Sequence, residues 1–195
     1  MKKGDIIKFG NYPQDINGSK SPIEWLALDV NENEALLVSR YGLDCKEYHN
    51  VSTDITWEDC DLRKWLNNDF IKSAFSEEEA KKIKVSELKN EDNLEYETGG
   101  GNNTKDRIFC LSITEAEQYF RSDNERQCKP TVYARKQGVY DENDCCYWWL
   151  RSPGNNRNFA ADVDADGSLY LYGYYVGSGS NVVRPALRII SNLLI

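Results

Sequence analysis

The amino-acid sequence predicts an α+β fold with a mainly antiparallel sheet and two or three helices. Three observations predict it: strand-like apolar runs lie at both ends of the chain, helix-capping patterns lie between them, and a period-two hairpin pattern follows. The chain has 195 residues, of which 40% are hydrophobic, so it is long enough to bury a core. Because no linker or internal repeat interrupts the pattern, we expect residues 1–195 to form one domain.

The N-terminal part predicts a β-meander. Residues 6–10, 22–30 and 35–40 are apolar runs of strand length. Turn-forming residues separate them at 11–14 and 31–34. Because consecutive strands with short connections pair antiparallel, we expect these three to be neighbours in one sheet.

The middle of the chain predicts helices from the capping-box pattern, in which Ser or Thr precedes an acid by three residues. Behind the first of these boxes, Leu62 and Leu66 recur at helical spacing and are expected to face the core. The segments that match the pattern are Thr56–Asp59, Ser76–Glu79 and Ser112–Glu115.

Two polar segments are predicted to be loops. Residues 87–106 contain a run of three glycines at 99–101 and are predicted to be a mobile loop before a strand at 107–111. Residues 129–140 are predicted to be a loop that holds one helical turn.

Residues 158–174 predict a β-hairpin, because apolar and polar residues alternate on both sides of Gly167. A three-residue loop with Gly167 in the left-handed conformation fits the phase of this alternation. The register that follows pairs Asp164 with Ser168, Asp162 with Tyr170 and Ala160 with Tyr172.

The two faces of this hairpin differ in chemistry. Ala161, Val163, Leu169 and Leu171 share one face and are expected to pack inward. The opposite face carries Asn, Asp, Ser and Tyr and is expected to meet solvent or a ligand. Strand propensity alone is the other explanation for its tyrosines. Their repetition at alternate positions beside a Gly-Ser-Gly-Ser loop favours binding.

Charge and hydropathy exclude two classes of partner. The net charge is −8, whereas nucleic-acid binding needs a basic surface. No apolar run has the length of a signal peptide or a transmembrane helix. We therefore expect no nucleic-acid partner, no membrane partner and, by default, a cytoplasmic location. The sequence does not set the oligomeric state.

The cysteines do not match a metal site. No two of them form a C-x-x-C pair, and the only histidine is His49, so zinc is not expected. A chain of this length does not need disulfides for stability, and we expect reduced, mostly buried thiols. The six are Cys45, Cys60, Cys110, Cys128, Cys145 and Cys146.

Calcium is the one cofactor that the sequence leaves open. Asp162, Asp164, Asp166 and Gly167 match the first half of an EF-hand loop, D-x-D-x-D-G. The twelfth position is Gly173, where a bidentate Glu is needed, and the flanks predict strands rather than helices. The other interpretation is that the aspartates form a turn in water. Apart from this candidate, we predict no cofactor.

A set of motifs runs in order along the chain and resembles a known family. The set resembles a bacterial family of domains of unknown function with a WWLRSPG and VRPAL signature. Its C-terminal half resembles the C-type-lectin-like fold, in particular the variable proteins of diversity-generating retroelements. The motifs are Pro22–Leu26, Leu36–Ser39, Thr56–Asn67, Phe75–Glu79, Leu111–Ala116, Trp148–Gly154 and Val183–Leu187.

This resemblance implies a non-enzymatic domain that binds a protein or a glycan, with no catalytic residues. In such proteins, adenine-directed mutagenesis changes codons in a display segment, which here corresponds to residues 155–181. The resemblance assigns ligand-binding roles to Asn155, Asn156, Asn158, Asp162, Asp164, Ser168, Tyr170, Tyr172, Tyr174, Tyr175, Ser178, Ser180 and Asn181.

Two other functions stay open. The chain is alternatively a structural or accessory module of a larger bacterial or phage assembly. The C-type-lectin-like fold also includes a formylglycine-generating type of oxidase that uses cysteines, for which Cys145 and Cys146 are the candidates. Arg151 and Arg184 flank the signature strands and are each expected to pair with an interior acid, or else to hold a ligand carboxylate.

Overall fold

Two five-stranded sheets, two two-stranded sheets and five short helices make up the computed structural model, which describes residues 1–190. The predicted domain extends to residue 195, and positions 191–195 lie outside the described residues. The α+β class with mostly antiparallel sheets is confirmed, although the prediction of two or three helices was too low. Within residues 1–190, none of the helices combines the length and the apolar character that a bilayer crossing requires.

The elements alternate irregularly along the chain. The helices are α1 (Asp61–Trp65, then a π-helical turn Leu66–Phe70, then Ile71–Ala74), α2 (Glu77–Lys82), α3 (Ile113–Tyr119), α4 (Asp123–Arg126) and α5 (Val132–Lys136). The strands are β1 (Ile6–Pro13), β2 (Lys20–Val30), β3 (Glu34–Ser39), β4 (Asp44–Cys45), β5 (Ser86–Leu88), β6 (Thr104–Asp106), β7 (Ile108–Phe109), β8 (Asp141–Glu142), β9 (Cys145–Cys146), β10 (Trp148–Pro153), β11 (Phe159–Val163), β12 (Leu169–Tyr175), β13 (Val182–Val183) and β14 (Ala186–Ile190).

The first sheet joins the two ends of the described chain. Its order is β1-β2-β3-β14-β7, and every pairing is antiparallel. The predicted N-terminal meander is confirmed, and its first two strands are longer than predicted. Strand β14 lies between β3 and β7, so that Leu187 is paired with Leu37 on one side and Ile108 on the other.

The second sheet carries the predicted hairpin. Its order is β12-β11-β10-β13-β4, and β10 with β13 is its parallel pair. Trp148 and Trp149 of β10 point to opposite faces and are both fully buried. The indole of Trp149 donates to the Lys46 carbonyl at 2.8 Å, and that of Trp148 to the Arg126 carbonyl at 3.1 Å. The centre of this sheet is therefore buried on both sides.

The helix caps confirm two of the three predicted boxes. Ser76–Glu79 and Ser112–Glu115 make both reciprocal hydrogen bonds of a capping box. The box predicted at Thr56 was wrong, because residues 57–59 form a turn and the helix begins later. Its cap is Cys60, whose sulfur accepts from the Arg63 backbone N–H at 3.3 Å.

Residues 87–106, which were predicted to be a mobile loop, begin and end in short strands. Strands β5 and β6 pair where this segment leaves and rejoins the body of the domain. Asp106 holds the end of this segment against the body of the domain, and its side chain is buried. Asp106 accepts from the Trp57 indole at 3.0 Å and pairs with Arg63 at 2.7 Å. A buried carboxylate with charged and neutral donors orders the chain around it.

A candidate ligand-binding face on the C-terminal hairpin

The hairpin has the predicted turn. Val163 pairs with Leu169, and Asp162 pairs with Tyr170. Past them, the Asp164 backbone N–H donates to the Ser168 carbonyl at 2.9 Å. Gly167 has φ of +89°, the left-handed conformation that the three-residue loop requires.

Beyond the turn, a β-bulge shifts the predicted register. Ala160 pairs with Tyr174 rather than with Tyr172, so this part of the prediction was wrong. Between this pair and the Asp162–Tyr170 pair, β12 has two residues more than β11, and Gly173, which lies among them, has φ of +79°. A Cβ at this position would lie 2.5 Å from the Ala160 carbonyl oxygen, which a side chain does not tolerate. A glycine inside a strand pattern is the one sequence signal for such a bulge.

The three alternate tyrosines of β12 are exposed, as predicted. Tyr170 and Tyr172 each keep 41% of their surface accessible, and Tyr174 keeps 48%. The Tyr170 and Tyr172 rings lie 6.1 Å apart, and Tyr172 contacts Phe159 edge-on at 5.5 Å. The rings of Tyr170, Tyr172 and Phe159 are therefore in contact with one another rather than scattered.

A distant segment adds a fourth tyrosine that the sequence did not predict. Residues 89–103 fold back along β12, and Tyr96 meets Tyr172 edge-on at 5.8 Å. Tyr96 is 40% exposed, and Leu94 beside it is 87% exposed. We refer to Leu94, Tyr96, Tyr170, Tyr172 and Tyr174 as the tyrosine face.

Asn93 holds this segment against the hairpin. Its side chain is buried, and its Nδ2 donates to the Pro153 carbonyl at 2.9 Å and to the Leu171 carbonyl at 2.8 Å. Because β12 is an edge strand of its sheet, the amide of Asn93 takes a place that a further strand would otherwise fill. The Thr98 hydroxyl makes a second anchor, to the Asn155 carbonyl at 2.9 Å.

A groove of about 610 Å³ opens beside the tyrosine face. Its apolar wall is formed by Leu94, Leu171 and Ile113. Four carboxylates and one lysine line its remaining side, so the groove is acidic. These charged residues are Lys89, Glu91, Asp92, Glu95 and Glu117.

The exposure predicted for Asp162 and Asn181 was wrong. Asp162 is 0% exposed and Asn181 is 3% exposed. The Asn181 amide donates to Asp162 Oδ2 at 2.8 Å. Burial raises the pKa of Asp162 to about 8, although the hydrogen bond from Asn181 opposes this shift. Alternation assigned Asp162 to the polar face correctly, but the chain folds over this part of that face.

The other predicted residues lie around the rim of the hairpin. Asn156 is exposed, and its side chain accepts from the Asn158 backbone N–H at 2.8 Å. The Ser178 and Ser180 hydroxyls are 2.8 Å apart. Half-buried positions are Asn155, Asn158, Asp164, Ser168, Tyr175, Ser178 and Ser180.

One aspartate of the predicted calcium loop, Asp166, forms hydrogen bonds within the hairpin turn. Asp166 Oδ1 accepts from the Ser168 backbone N–H at 2.9 Å and from its hydroxyl at 2.7 Å. These bonds lower the pKa of Asp166. This geometry fits the turn-forming interpretation. In the part of the chain that the structure describes, no three His, Cys, Asp or Glu side chains are grouped to hold a metal ion.

The six cysteines form no disulfide in the structure and are all buried, which confirms the burial that was predicted for them. Burial raises the pKa of Cys60 to about 12 and also raises that of Cys145. Cys128 differs, because the Cys146 thiol and the Arg184 guanidinium outweigh burial and lower its pKa to about 7. Its side chain has only 1% exposure, which keeps it from an external substrate.

The two signature arginines have structural roles of different kinds. Arg151 forms the predicted interior ion pair, with Glu115. Arg184 does not: within residues 1–190 no carboxylate pairs with it. Its guanidinium donates to the Arg126 carbonyl at 2.8 Å and lies 4.9 Å from the Trp148 ring centroid. A guanidinium satisfied by carbonyls and an aromatic ring fixes the frame beneath the hairpin.

Comparison with known proteins shows that most of the chain matches one protein family. The model of a family described as a domain of unknown function, DUF6273, matches residues 32–191. The match includes the hairpin, the segment that carries Asn93 and Tyr96, and both signature arginines. No curated protein and no solved structure matches the chain.

Proposed function

We propose that this chain, which belongs to the DUF6273 family of domains of unknown function, is a non-enzymatic domain that binds a protein or a glycan through its tyrosine face. One observation carries the proposal: three alternate tyrosines of an edge strand are exposed, and one of them, Tyr172, contacts Tyr96 from a separate segment. By contrast, Trp25, Trp57, Trp148 and Trp149 are all buried.

Tyrosine is suited to this role for physical reasons. Its ring offers a large apolar contact with only two side-chain torsions to order, and its hydroxyl adds a hydrogen bond. Contiguous exposed aromatic surface is uncommon on a protein that has no partner. Leu94, which is 87% exposed at the edge of the face, adds exposed apolar surface to it.

The frame beneath the face is fixed by residues that do not contact a ligand. Gly173 sets the bulge, Asn93 holds the edge strand, and Arg184 packs under β10. The backbone is therefore specified independently of the exposed side chains. This separation supports a finer proposal, in which the fold is C-type-lectin-like and residues 155–181 are a display segment of the retroelement type.

In this finer proposal, diversification changes only the amino acids at exposed positions of the display segment. Asn156, Tyr170 and similar residues vary, whereas the buried pair Asp162 and Asn181 stays constant. The test is the DNA next to the gene. A near-copy of the segment that encodes residues 148–187, differing at adenines, supports diversification, and its absence removes this layer but leaves the binding proposal.

The buried thiols favour binding over a cysteine-dependent oxidase. Such an enzyme needs a thiolate that reaches its substrate. Cys145 and Cys146 are 7% and 0% exposed, and burial raises the pKa of both. Neither has the environment of a nucleophile.

The binding proposal is tested with two probes of defined composition, a random peptide display library and a glycan array. Binders selected on the wild-type protein are measured against a variant in which Tyr170, Tyr172 and Tyr174 are changed to alanine. The expected result is a loss of affinity of at least about tenfold. Val132→Ala and Ile6→Ala, which remove other exposed apolar side chains, are the matched controls and keep full affinity.

Thermal unfolding of the same variants distinguishes a binding surface from a core. We expect the triple variant to unfold within a few degrees of the wild type, since its three side chains are exposed. Equal binding by the triple variant and the wild type contradicts the proposal. A large loss of stability shows instead that the tyrosines belong to the core.

A further inference from the structure

We infer that the partner of the tyrosine face is a protein, and that a short basic and apolar segment of this partner occupies the groove beside Leu94. The inference rests on the proposed function, because it names the class of ligand and extends the binding surface. Four observations carry it: the groove adjoins the tyrosine face, it is open to solvent, its apolar wall is aliphatic, and three of its carboxylates have no countercharge.

The groove begins where the tyrosine face ends. Leu94 belongs to both surfaces, and Leu171, which lines the groove, lies between Tyr170 and Tyr172 in β12. Because β12 is the edge strand of its sheet, no further strand separates the groove from the tyrosines. The two surfaces are therefore continuous at Leu94, and one partner can contact both.

The groove is accessible and has room for a peptide segment. Its volume of about 610 Å³ lies within the roughly 300–1,000 Å³ that small-ligand sites occupy. Leu94 is 87% exposed, and Asp92, Glu95 and Glu117 are exposed as well. A ligand therefore reaches these side chains without a change in the fold.

The apolar wall of the groove favours a peptide over a glycan. Ile113 and Leu171 are half-buried and form this wall with Leu94, and no aromatic side chain is among the described residues that line the groove. An aliphatic side chain of a partner gains free energy when it is buried against such a wall. A sugar, whose surface carries hydroxyl groups, loses hydrogen bonds to water there.

The charges of the groove favour a cationic ligand. Lys89 Nζ lies 2.9 Å from a carboxylate oxygen of Glu91 and compensates it. Asp92, Glu95 and Glu117 line the same groove, and none of them has an ion-pair partner in the described part of the chain. Lysine or arginine side chains of a partner complement these three carboxylates.

Apolar surface and charge lie side by side on α3. Ile113 and Glu117 are four residues apart in this helix, so their side chains share one face. Both line the groove. A partner segment in which an aliphatic residue is next to a lysine or an arginine therefore contacts both at once, and the aliphatic stem of the basic side chain adds to the apolar contact.

A buried hydroxyl group offers a further contact. Ser152 lines the groove and is only 5% exposed. Its Oγ accepts from the Ile113 backbone N–H at 3.1 Å, but no acceptor within residues 1–190 receives its own hydrogen. Buried donors seldom stay without an acceptor. The backbone carbonyl group of a bound peptide is an acceptor of the required kind.

Peptide and glycan probes distinguish the two classes of partner. A phage-displayed library of random peptides and an array of neutral and acidic glycans are both applied to the wild-type domain. We expect the library to yield binders in which lysine or arginine is enriched next to leucine, isoleucine or valine. Binding to glycans alone, or peptide binders without this enrichment, overturns the inference.

A double variant, Glu95→Gln with Glu117→Gln, tests whether the selected peptides use the groove. Both residues are exposed, so the variant is expected to fold. The peptides should bind it about three- to tenfold more weakly, and added salt should weaken binding to the wild type more than to the variant. The control, Glu32→Gln with Glu77→Gln, removes the same charge at exposed positions outside the groove and should keep full affinity.

Equal affinity of the wild type and the groove variant overturns the inference. The variant with alanine at Tyr170, Tyr172 and Tyr174 decides the proposed function separately. If it loses the peptides that the groove variant keeps, the tyrosine face binds them without the groove, and only the inference fails. If it keeps every selected ligand, the proposed function fails.

Discussion

Asn93 Nδ2 lies 2.8 Å from the Leu171 carbonyl oxygen, although the two residues are 78 positions apart in the chain. This hydrogen bond links the edge strand of the second sheet to the segment that carries Tyr96. The amide of Asn93 donates to the carbonyl groups of the exposed strand edge and also positions Tyr96. The edge strand therefore supports a surface that is built from two segments of the chain.

Replacing Asn93 with alanine should loosen this surface. The Leu171 and Pro153 carbonyls lose their donor, and the expected destabilisation is about 1–3 kcal/mol. Chemical denaturation measures the change. Asn124→Ala, an exposed asparagine, is the control and should be neutral within about 0.5 kcal/mol. Equal stability of the two variants contradicts the anchoring role.

The bulge glycine should tolerate no side chain. Gly173→Ala adds both left-handed strain and a contact 2.5 Å from the Ala160 carbonyl oxygen. Gly4→Ala adds strain alone, because it has φ of +89° and open space around it. We expect about 1 kcal/mol of destabilisation for Gly4→Ala and clearly more for Gly173→Ala. Denaturant unfolding measures the free energy of unfolding of both variants. An equal loss of stability in the two contradicts a close contact between Gly173 and the Ala160 carbonyl oxygen.

Glu115 should contribute more to the free energy of unfolding than Glu79, the matching residue of the other capping box. Both Glu115 and Glu79 close a box, but Glu115 also neutralises the buried Arg151. Glu115→Gln leaves that guanidinium without a countercharge, for which we expect a loss of about 3–5 kcal/mol. Glu79→Gln should lose about 1 kcal/mol. The free energies of unfolding in urea give the comparison, and similar values for the two variants contradict it.

Asp162 should make the protein less stable as the pH rises. Its pKa in the folded state is about 8, above the value of 3.8 for an unperturbed aspartate, so the folded state holds the extra proton between these values. The free energy of unfolding therefore falls from pH 4 to pH 8 through this group. Other carboxyl groups, such as Glu34, have lowered pKa values and act in the opposite direction at acid pH.

The difference between wild type and Asp162→Asn isolates this contribution. Measured by urea unfolding at several pH values, the stability of the wild type should decline relative to the variant as the pH rises to 8. A constant difference between the two proteins means that Asp162 titrates normally in the folded state.

Alternation in the sequence was enough to predict the turn and the exposed tyrosines. Period two assigns Tyr170, Tyr172 and Tyr174 to one side of β12, and Gly167 marks the turn. The bulge escaped this reasoning, because Tyr172 and Tyr174 alternate with Gly173 in either register. Period two also states which side a residue occupies but not what covers that side, so the burial of Asp162 was not predictable.

Contacts between distant segments and an unusual cap account for the other differences. Nothing near Asn93 or Tyr96 in the sequence indicates a contact with β12, because their partners are supplied by tertiary packing. The capping-box pattern favoured Thr56 because hydroxyl groups are the usual caps, whereas the thiol of Cys60 performs this role.

The insertion of β14 between β3 and β7 constrains how the protein forms during synthesis. Leu37 and Ile108 are translated long before Leu187, which pairs with both of them in the first sheet. A nascent chain on the ribosome therefore holds two open strand edges until residues 186–190 emerge, and such edges are prone to association. Closure of the first sheet is a late event that depends on contacts of high sequence separation.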